Sequence, residues 1–230
     1  MRICGLEKFS LVDFDGILAC TIFTAGCNFA CPFCHNSALV LDASEQIEIS
    51  SEEVFEFLEK RKHILGGVCV SGGEPTLQPD LADFLAKVKL LGYKIKLDTN
   101  GSNPFVLKRL IDAQLIDYVA MDIKNSLENY DITVGKENFS TENVEKSVKL
   151  LMNGKLAYEF RTTLVDELHS EEDIKNIGVW LSGANKYFLQ KFVDKDSCIV
   201  DGLNAVTEEK AKKFKSILSQ TISSVNLRGY

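Results

Sequence analysis

Cys20-Thr-Ile-Phe-Thr-Ala-Gly-Cys27-Asn-Phe-Ala-Cys31-Pro-Phe-Cys34-His-Asn36 is the stretch on which the reading of this chain turns. Residues 17–24, leading into it, form an almost continuous apolar and β-branched run of strand length, the pattern of a strand buried on both faces. That strand hands the chain to a loop in which Cys27, Cys31 and Cys34 are spaced Cys-x-x-x-Cys-x-x-Cys, with Gly26 and Pro32 suited to a loop that folds around its ligands. Three thiolates this close can converge on one soft metal centre. A cubane iron–sulfur cluster takes four ligands, so three from the protein would leave one iron open for chemistry. Two other readings of the same residues remain. His35 could complete a zinc site, and Cys31-Pro-Phe-Cys34-His35 has the spacing of a c-type haem attachment.

Outward from the cysteine loop, a strand–helix unit repeats. Ser50 with the acids that follow it caps a helix to about residue 62, and Gly66-Gly67 stops it. Residues 68–71 read as a second buried strand, ending in Gly72-Gly73-Glu74-Pro75, followed by a helix over about 79–91. Residues 93–97 read as a third strand closing with Asp98-Thr99-Asn100-Gly101, and Pro104 starts the next helix. Residues 118–121 are a fourth strand, closing with Asp122-Ile123-Lys124. Val144, Val148 and Leu151 mark a helix that ends at Asn153-Gly154. Strands five and six fall at 156–165 and 187–192, separated by a helix behind a capping box at Ser170 and Asp173. Thr207 opens a last helix, and 223–227 is read as a final strand. The expected fold class is therefore α/β, a partial (β/α)6 TIM-like barrel of parallel strands, since eight full units usually need about 250 residues. One domain spans 1–230, with an N-terminal extension at 1–16, the barrel core at 17–195 and a C-terminal helix and strand at 196–230.

Composition narrows the function classes. At 230 residues, 45% hydrophobic and 26% charged, the chain can bury a sizeable core. Its apolar runs fall well short of the ~20 residues of a membrane helix, and Glu7, Asp13 and Asp15 stand where a signal peptide would be apolar, so a cytoplasmic location and no membrane partner are expected. Seven cysteines in a reducing compartment point to metal or catalysis rather than disulfides. The isolated Cys4, Cys20, Cys69 and Cys198 are expected as small buried hydrophobes, His63 and His169 as surface residues, and Trp180 as core. A net charge of −7 disfavours a nucleic-acid partner.

The cysteine loop, Gly72 to Pro75, Asp98 to Gly101 and Asp122 to Lys124 each follow a strand, and in barrels of parallel strands that C-terminal rim is where active sites are built. Taken together these motifs resemble the radical S-adenosylmethionine enzymes. Within them, Cys27 to Asn36, Met121-Asp-Ile-Lys124 and Leu189-Gln-Lys-Phe192 resemble the short activases of glycyl radical enzymes, and among those the anaerobic ribonucleoside-triphosphate reductase activating proteins. Asp15 departs from that branch, which has proline there.

The resemblance implies a [4Fe–4S] cluster on Cys27, Cys31 and Cys34, with the methionine amine and carboxylate of S-adenosylmethionine on the fourth iron. It implies that Phe33 lies near the adenine, and that Gly72 and Gly73 approach the methionine amine with Glu74 beside them. Asp98, Asn100, Asp122 and Lys124 would line the rest of the cofactor, and Asp98, Thr99 and Asp122 could hold a monovalent cation. Arg161 and Gln190 match later cofactor-contact positions. No catalytic residue beyond the cluster and S-adenosylmethionine is implied. The implied reaction is reductive cleavage to a 5′-deoxyadenosyl radical, which removes a hydrogen atom from a backbone glycine of a partner enzyme. Flavodoxin or ferredoxin would be the electron donor. The alternatives are activation of pyruvate formate-lyase or another glycyl radical enzyme, a radical enzyme acting on a small molecule or peptide, and a zinc-stabilised binding module.

Overall fold

The apolar run that leads into the cysteine loop forms a parallel strand, Ala19–Thr24, buried at every position but Phe23. Before it comes β1, Ile3–Ser10, which makes that strand β2; the two pair antiparallel, with bulges. The segment expected as a plain extension thus supplies a strand. Its Glu7 and Lys8 are exposed and break the apolar pattern that would have revealed it, as edge strands commonly do. The structure, a computed structural model, describes residues 1–195 and 197–230. The expected start of the C-terminal segment, Asp196, lies outside the described residues.

Among the described residues, eight strands are hydrogen-bonded in chain order. After β2 come β3, Gly67–Gly72, and β4, Lys94–Thr99, both added in parallel. Then come β5, Tyr118–Asp122, and the parallel set β6, Ala157–Leu164, β7, Lys186–Lys191, and β8, Ser224–Arg228. The α/β class expected from the repeats is the one observed, with the strand at 223–227 realised as β8.

The chain divides into two compact units, Met1–Asn28, Ala38–Thr99 and Asn103–Ala120 in the first, and Phe29–Ser37, Asn100–Ser102 and Met121–Tyr230 in the second. A short helix α1, Ser37–Val40, follows the cysteine loop. In the first unit, α2, Ser51–Arg61, begins where the Ser50 hydroxyl accepts the Glu53 N–H at 3.1 Å. Helix α3, Leu81–Leu90, buries Leu81, Phe84, Leu85 and Val88; α4, Pro104–Asp112, starts on proline behind an Asn103 cap. These faces close over Ile22, Val68, Val70, Ile95 and Leu97, all fully buried.

The second unit holds α5, Tyr130–Val134, α6, Glu142–Asn153, α7, Glu171–Trp180, and α8, Glu208–Leu218. The capping box expected at α7 is present in full, Ser170 and Asp173 satisfying each other's backbone. Val144, Val148, Leu151, Phe160, Ile174, Tyr187 and Phe214 form this unit's core. No helix among the described residues is long and apolar enough to cross a membrane.

Candidate active site

In the first unit, β2 ends at Thr24 and the chain turns through Gly26, φ +88°, into Cys27. The Gly26 N–H donates to the Leu39 carbonyl at 2.7 Å, and its own carbonyl accepts from Glu74 N at 2.8 Å. The turn after β3 therefore lies directly on the entry to the cysteine loop. It does so only because Gly72 and Gly73 lack side chains. A Cβ on Gly73 would sit 2.0 Å from the Gly26 carbonyl oxygen, and one on Gly72, φ +116°, 2.3 Å from Thr24 N. Glu74 is fully buried. Its Oε1 accepts from Thr76 N at 3.0 Å, Thr76 Oγ1 at 2.6 Å and Thr99 Oγ1 at 2.8 Å, capping the 3-10 turn Pro75–Leu77 and tying it to the end of β4.

Asp98, also at the end of β4, is ringed by donors: Lys96 Nζ at 2.8 Å, Ser71 Oγ at 3.2 Å and Cys69 Sγ at 3.6 Å. Lys96 is 4% exposed, so its ammonium is held inside by Asp98. The sequence reading missed Lys96. Its signal was the alternation of a strand, which puts residues 96 and 98 on one face.

In the second unit, Cys31 is buried and Cys34 half-buried, and the Cys34 N–H donates to the Cys31 carbonyl at 3.0 Å. Burial pushes the Cys34 thiol up from its ordinary value, opposed by the Asn36 backbone and by the Lys124 ammonium. The loop is stitched to α5, where Ala30 N donates to the Val134 carbonyl at 2.9 Å and Gly135, φ +67°, clears Ala30 where a Cβ would meet its carbonyl at 2.3 Å. Phe33 is buried, edge-on to Phe192, with Lys124 Nζ 5.9 Å from its ring centroid. His35 stacks on Phe192, its Nε2 2.7 Å from the Val193 carbonyl, so that nitrogen is committed to the backbone rather than to a metal.

Asp122 accepts from Lys124 Nζ at 2.8 Å and Arg161 Nε at 2.5 Å. Burial alone would raise its carboxyl pKa, but the two cations outweigh that and hold it well below the usual carboxylate range. Lys124 is driven the other way: burial would lower it, and Asp122 and Cys31 keep it firmly protonated. Asn100 is buried, its Oδ1 accepting from Ser102 N at 2.9 Å. Gln190, half-buried on β7, sits in register with Thr163 and Arg228. His169, expected on the surface, is 1% exposed. Its Nε2 lies 2.9 Å from the Lys124 carbonyl and its Nδ1 3.1 Å from Val165 N, while burial lowers its pKa, so a neutral imidazole braces the segment that carries Lys124. Cys20, Cys69 and Cys198 are buried as expected, whereas Cys4 is only partly so.

Residues 21–177 match the model of the Radical SAM superfamily. The chain belongs to that superfamily. It is 33% identical over 199 residues, 85% of this chain and 81% of the relative, to a Methanocaldococcus jannaschii protein whose assignment as a glycyl-radical enzyme activating enzyme is itself an inference. It is 27% identical over 96% of its length, and 98% of the relative's, to the pyruvate formate-lyase-activating enzyme of Clostridium pasteurianum. Among solved structures, a domain of pyruvate-formate lyase-activating enzyme from Bacteroides vulgatus shares the fold at TM-score 0.56 and 20% identity, over 71% of this chain and 99% of that one. Streptococcus suis SuiB bound to its precursor peptide shares it at TM-score 0.70 and 13% identity, over 91% of this chain and 48% of that one. The radical SAM enzyme is thus of the glycyl-radical-enzyme activating type, and membership of the superfamily sets aside the zinc-stabilised module.

Such a family member uses a [4Fe–4S] cluster and S-adenosylmethionine, and the residues fit both. All seven cysteines are thiols outside any disulfide, the donor chemistry that an iron–sulfur cluster takes. Two cations around one carboxylate at Asp122 can accept an anionic group of a ligand.

Proposed function

We propose that this radical SAM enzyme generates a glycyl radical on a partner enzyme, and that the partner is an anaerobic ribonucleoside-triphosphate reductase. The observation that carries the reading is the crossing of Gly73 over Gly26, which binds the turn after β3 to the entry of the cysteine loop at backbone distance. When bound, the cluster and S-adenosylmethionine supply the one-electron cleavage that yields a hydrogen-abstracting radical.

The protein's part is to hold and orient. Cys27, Cys31 and Cys34 ligate the cluster. The backbone at Gly72 and Gly73 meets the methionine amine, with Glu74 rigidifying that turn through Thr76 and Thr99. Asp98, Asn100, Asp122, Lys124, Arg161 and Gln190 receive the methionine carboxylate and ribose, and Phe33 the adenine. A monovalent cation at Asp98, Thr99 and Asp122 belongs to the same proposal; it would compete with Lys96 at Asp98 and with Lys124 and Arg161 at Asp122. The protein works as one radical SAM domain over residues 1–230, in the cytoplasm, reduced by flavodoxin or ferredoxin and without nucleic acid.

A second partner, pyruvate formate-lyase, is favoured by the full-length similarity to the Clostridium enzyme. Anaerobic reconstitution tests the chemistry: about four irons per chain and a paramagnetic resonance signal altered by S-adenosylmethionine are expected. The reduced protein is then offered each partner separately. A glycyl radical doublet on the reductase alone supports the first partner, one on the lyase alone supports the second, and S-adenosylmethionine cleavage with no glycyl radical on either defeats both.

A further inference from the structure

Strands β6, β7 and β8 lie parallel, with Arg161 in register beside Phe188, Phe188 beside Asn226 and Gln190 beside Arg228. Neighbours in register point to the same side and alternate residues share it, so Glu159 and Arg161 of β6, Phe188 and Gln190 of β7, and Asn226 and Arg228 of β8 form one face. The opposite face carries Phe160, Tyr187, Leu189 and Val225, all buried. A parallel sheet ordinarily buries apolar side chains on both faces, so a face made largely of charged and amide groups is built to meet something polar. Its outermost arginine is held in place. The Arg228 guanidinium lies over the Phe188 ring at 3.8 Å, and its Nη1 donates to Glu159 Oε1 at 3.4 Å. Glu159 is 1% exposed, and Lys186 Nζ stands 4.0 Å from its other oxygen and 5.0 Å from the Phe188 ring. The Arg228 side chain is 31% exposed, open to a ligand on its outer side. On the same face Arg161 reaches Asp122, so the array is continuous with the candidate active site.

We infer that this face receives the glycine-bearing segment of the partner enzyme, and that Arg228 binds it by donating to a carbonyl or carboxylate oxygen. The inference rests on the proposed activity toward a protein substrate. A guanidinium is a planar fork of N–H donors, and one already stacked on an aromatic ring and oriented by a carboxylate loses little freedom when an acceptor arrives. An extended segment carries a carbonyl oxygen at every residue, and β8, the last strand in the sheet order among the described residues, gives it an edge to lie along. Glu159 and Phe188 act through Arg228, as positioning residues.

The test is Arg228→Met, which keeps a side chain over Phe188 and removes the donors, beside Arg228→Lys, which keeps the charge and loses the fork. Each reconstituted, reduced protein is titrated with the candidate partner that takes a glycyl radical from wild type, and the radical doublet is counted by paramagnetic resonance. S-adenosylmethionine binding is measured on the same preparations. Expected are half-saturating partner concentrations about tenfold above wild type for Arg228→Met and about threefold for Arg228→Lys, with radical formation at saturation and S-adenosylmethionine affinity each within about twofold of wild type. An unchanged half-saturating concentration overturns the inference, and where Arg228→Met does not fold the Arg228→Lys protein decides. S-adenosylmethionine affinity that falls in step with partner affinity assigns Arg228 to the cofactor and overturns the inference as well, leaving the proposed function intact. Wild-type protein that cleaves S-adenosylmethionine but leaves no glycyl radical on either partner defeats the proposed function, and this inference with it.

Discussion

Gly73→Ala puts a methyl carbon 2.0 Å from the Gly26 carbonyl oxygen and 2.6 Å from its carbonyl carbon. Both obstacles are backbone, so no rotamer change relieves the contact, and the two segments must part by about 1 Å or more. Parting them stretches the 2.8 Å hydrogen bond from Glu74 N to Gly26 O, and the Gly73 N to Thr24 O bond beside it. Overpacking of this kind costs about 1–3 kcal/mol and a lost backbone hydrogen bond about 1 kcal/mol more. Gly92→Ala is the control: φ is +90° there, and nothing lies within 4 Å of the added carbon, so it carries only the backbone strain. That strain is worth about 1–2 kcal/mol. Thermal melts of the apo-proteins should therefore show Gly73→Ala losing about 9 °C and Gly92→Ala about 4 °C, at the roughly 3 °C per kcal/mol of a chain this size. Iron uptake should fall in the first variant and not in the second. A Gly73→Ala protein no less stable than Gly92→Ala would refute the close crossing, and with it the argument that the turn after β3 frames the cysteine loop.

Replacing any one of Cys27, Cys31 or Cys34 by alanine should abolish cleavage of S-adenosylmethionine, measured as 5′-deoxyadenosine by chromatography, while Cys4→Ala and Cys198→Ala retain it. Lys96→Met removes the ammonium that pairs with Asp98, and removing one partner of a buried pair costs about 3–5 kcal/mol, so the urea midpoint should fall sharply while Asp98→Asn in the same background restores part of it. Because the Asp122 carboxyl is held below its ordinary value, its stabilisation is present above the unfolded-state pKa of about 4 and drains away as pH falls further. Arg161→Leu should flatten that acid limb in a melt series from pH 6 to pH 2.5; an unchanged limb would mean Arg161 does not govern Asp122.

What could be read from residues alone follows what local physics writes locally. The strand that delivers the cysteines, the Ser170 box, the Pro104 helix start and the placing of polar motifs after strands are each set by a handful of neighbouring residues, and each was recognisable. β1 was not, because an edge strand is held by its ladder to β2 rather than by an apolar face of its own. His169 was read as exposed because nothing near it in sequence announces that the Lys124 and Val165 backbones will close around its ring. Glu74 belongs to the same class: its tie to the end of β4 depends on Thr99, 25 residues away.

The two aspartates behave differently, and the difference bears on what the site receives. Lys-Leu-Asp at 96–98 and Asp-Ile-Lys at 122–124 each place a lysine two residues from a carboxylate, and both pairs close at 2.8 Å. At 96–98, inside β4, that spacing shares a face, whereas at 122–124 the lysine lies two residues past the end of β5 and the pair closes just beyond the strand. At Asp98 the lysine meets the carboxylate beside two neutral donors, Ser71 and Cys69. At Asp122 a second cation, Arg161, joins from β6. Two cationic donors at one carboxylate are also placed to donate to an anionic group of a ligand. Of the groups that S-adenosylmethionine carries, the methionine carboxylate is the anionic one, and under the proposed function it would meet Lys124 and Arg161. Exchanging Arg161 for leucine should accordingly weaken S-adenosylmethionine binding more than Lys96→Met does. Equal losses in equilibrium binding would remove the charge argument for orienting the cofactor this way.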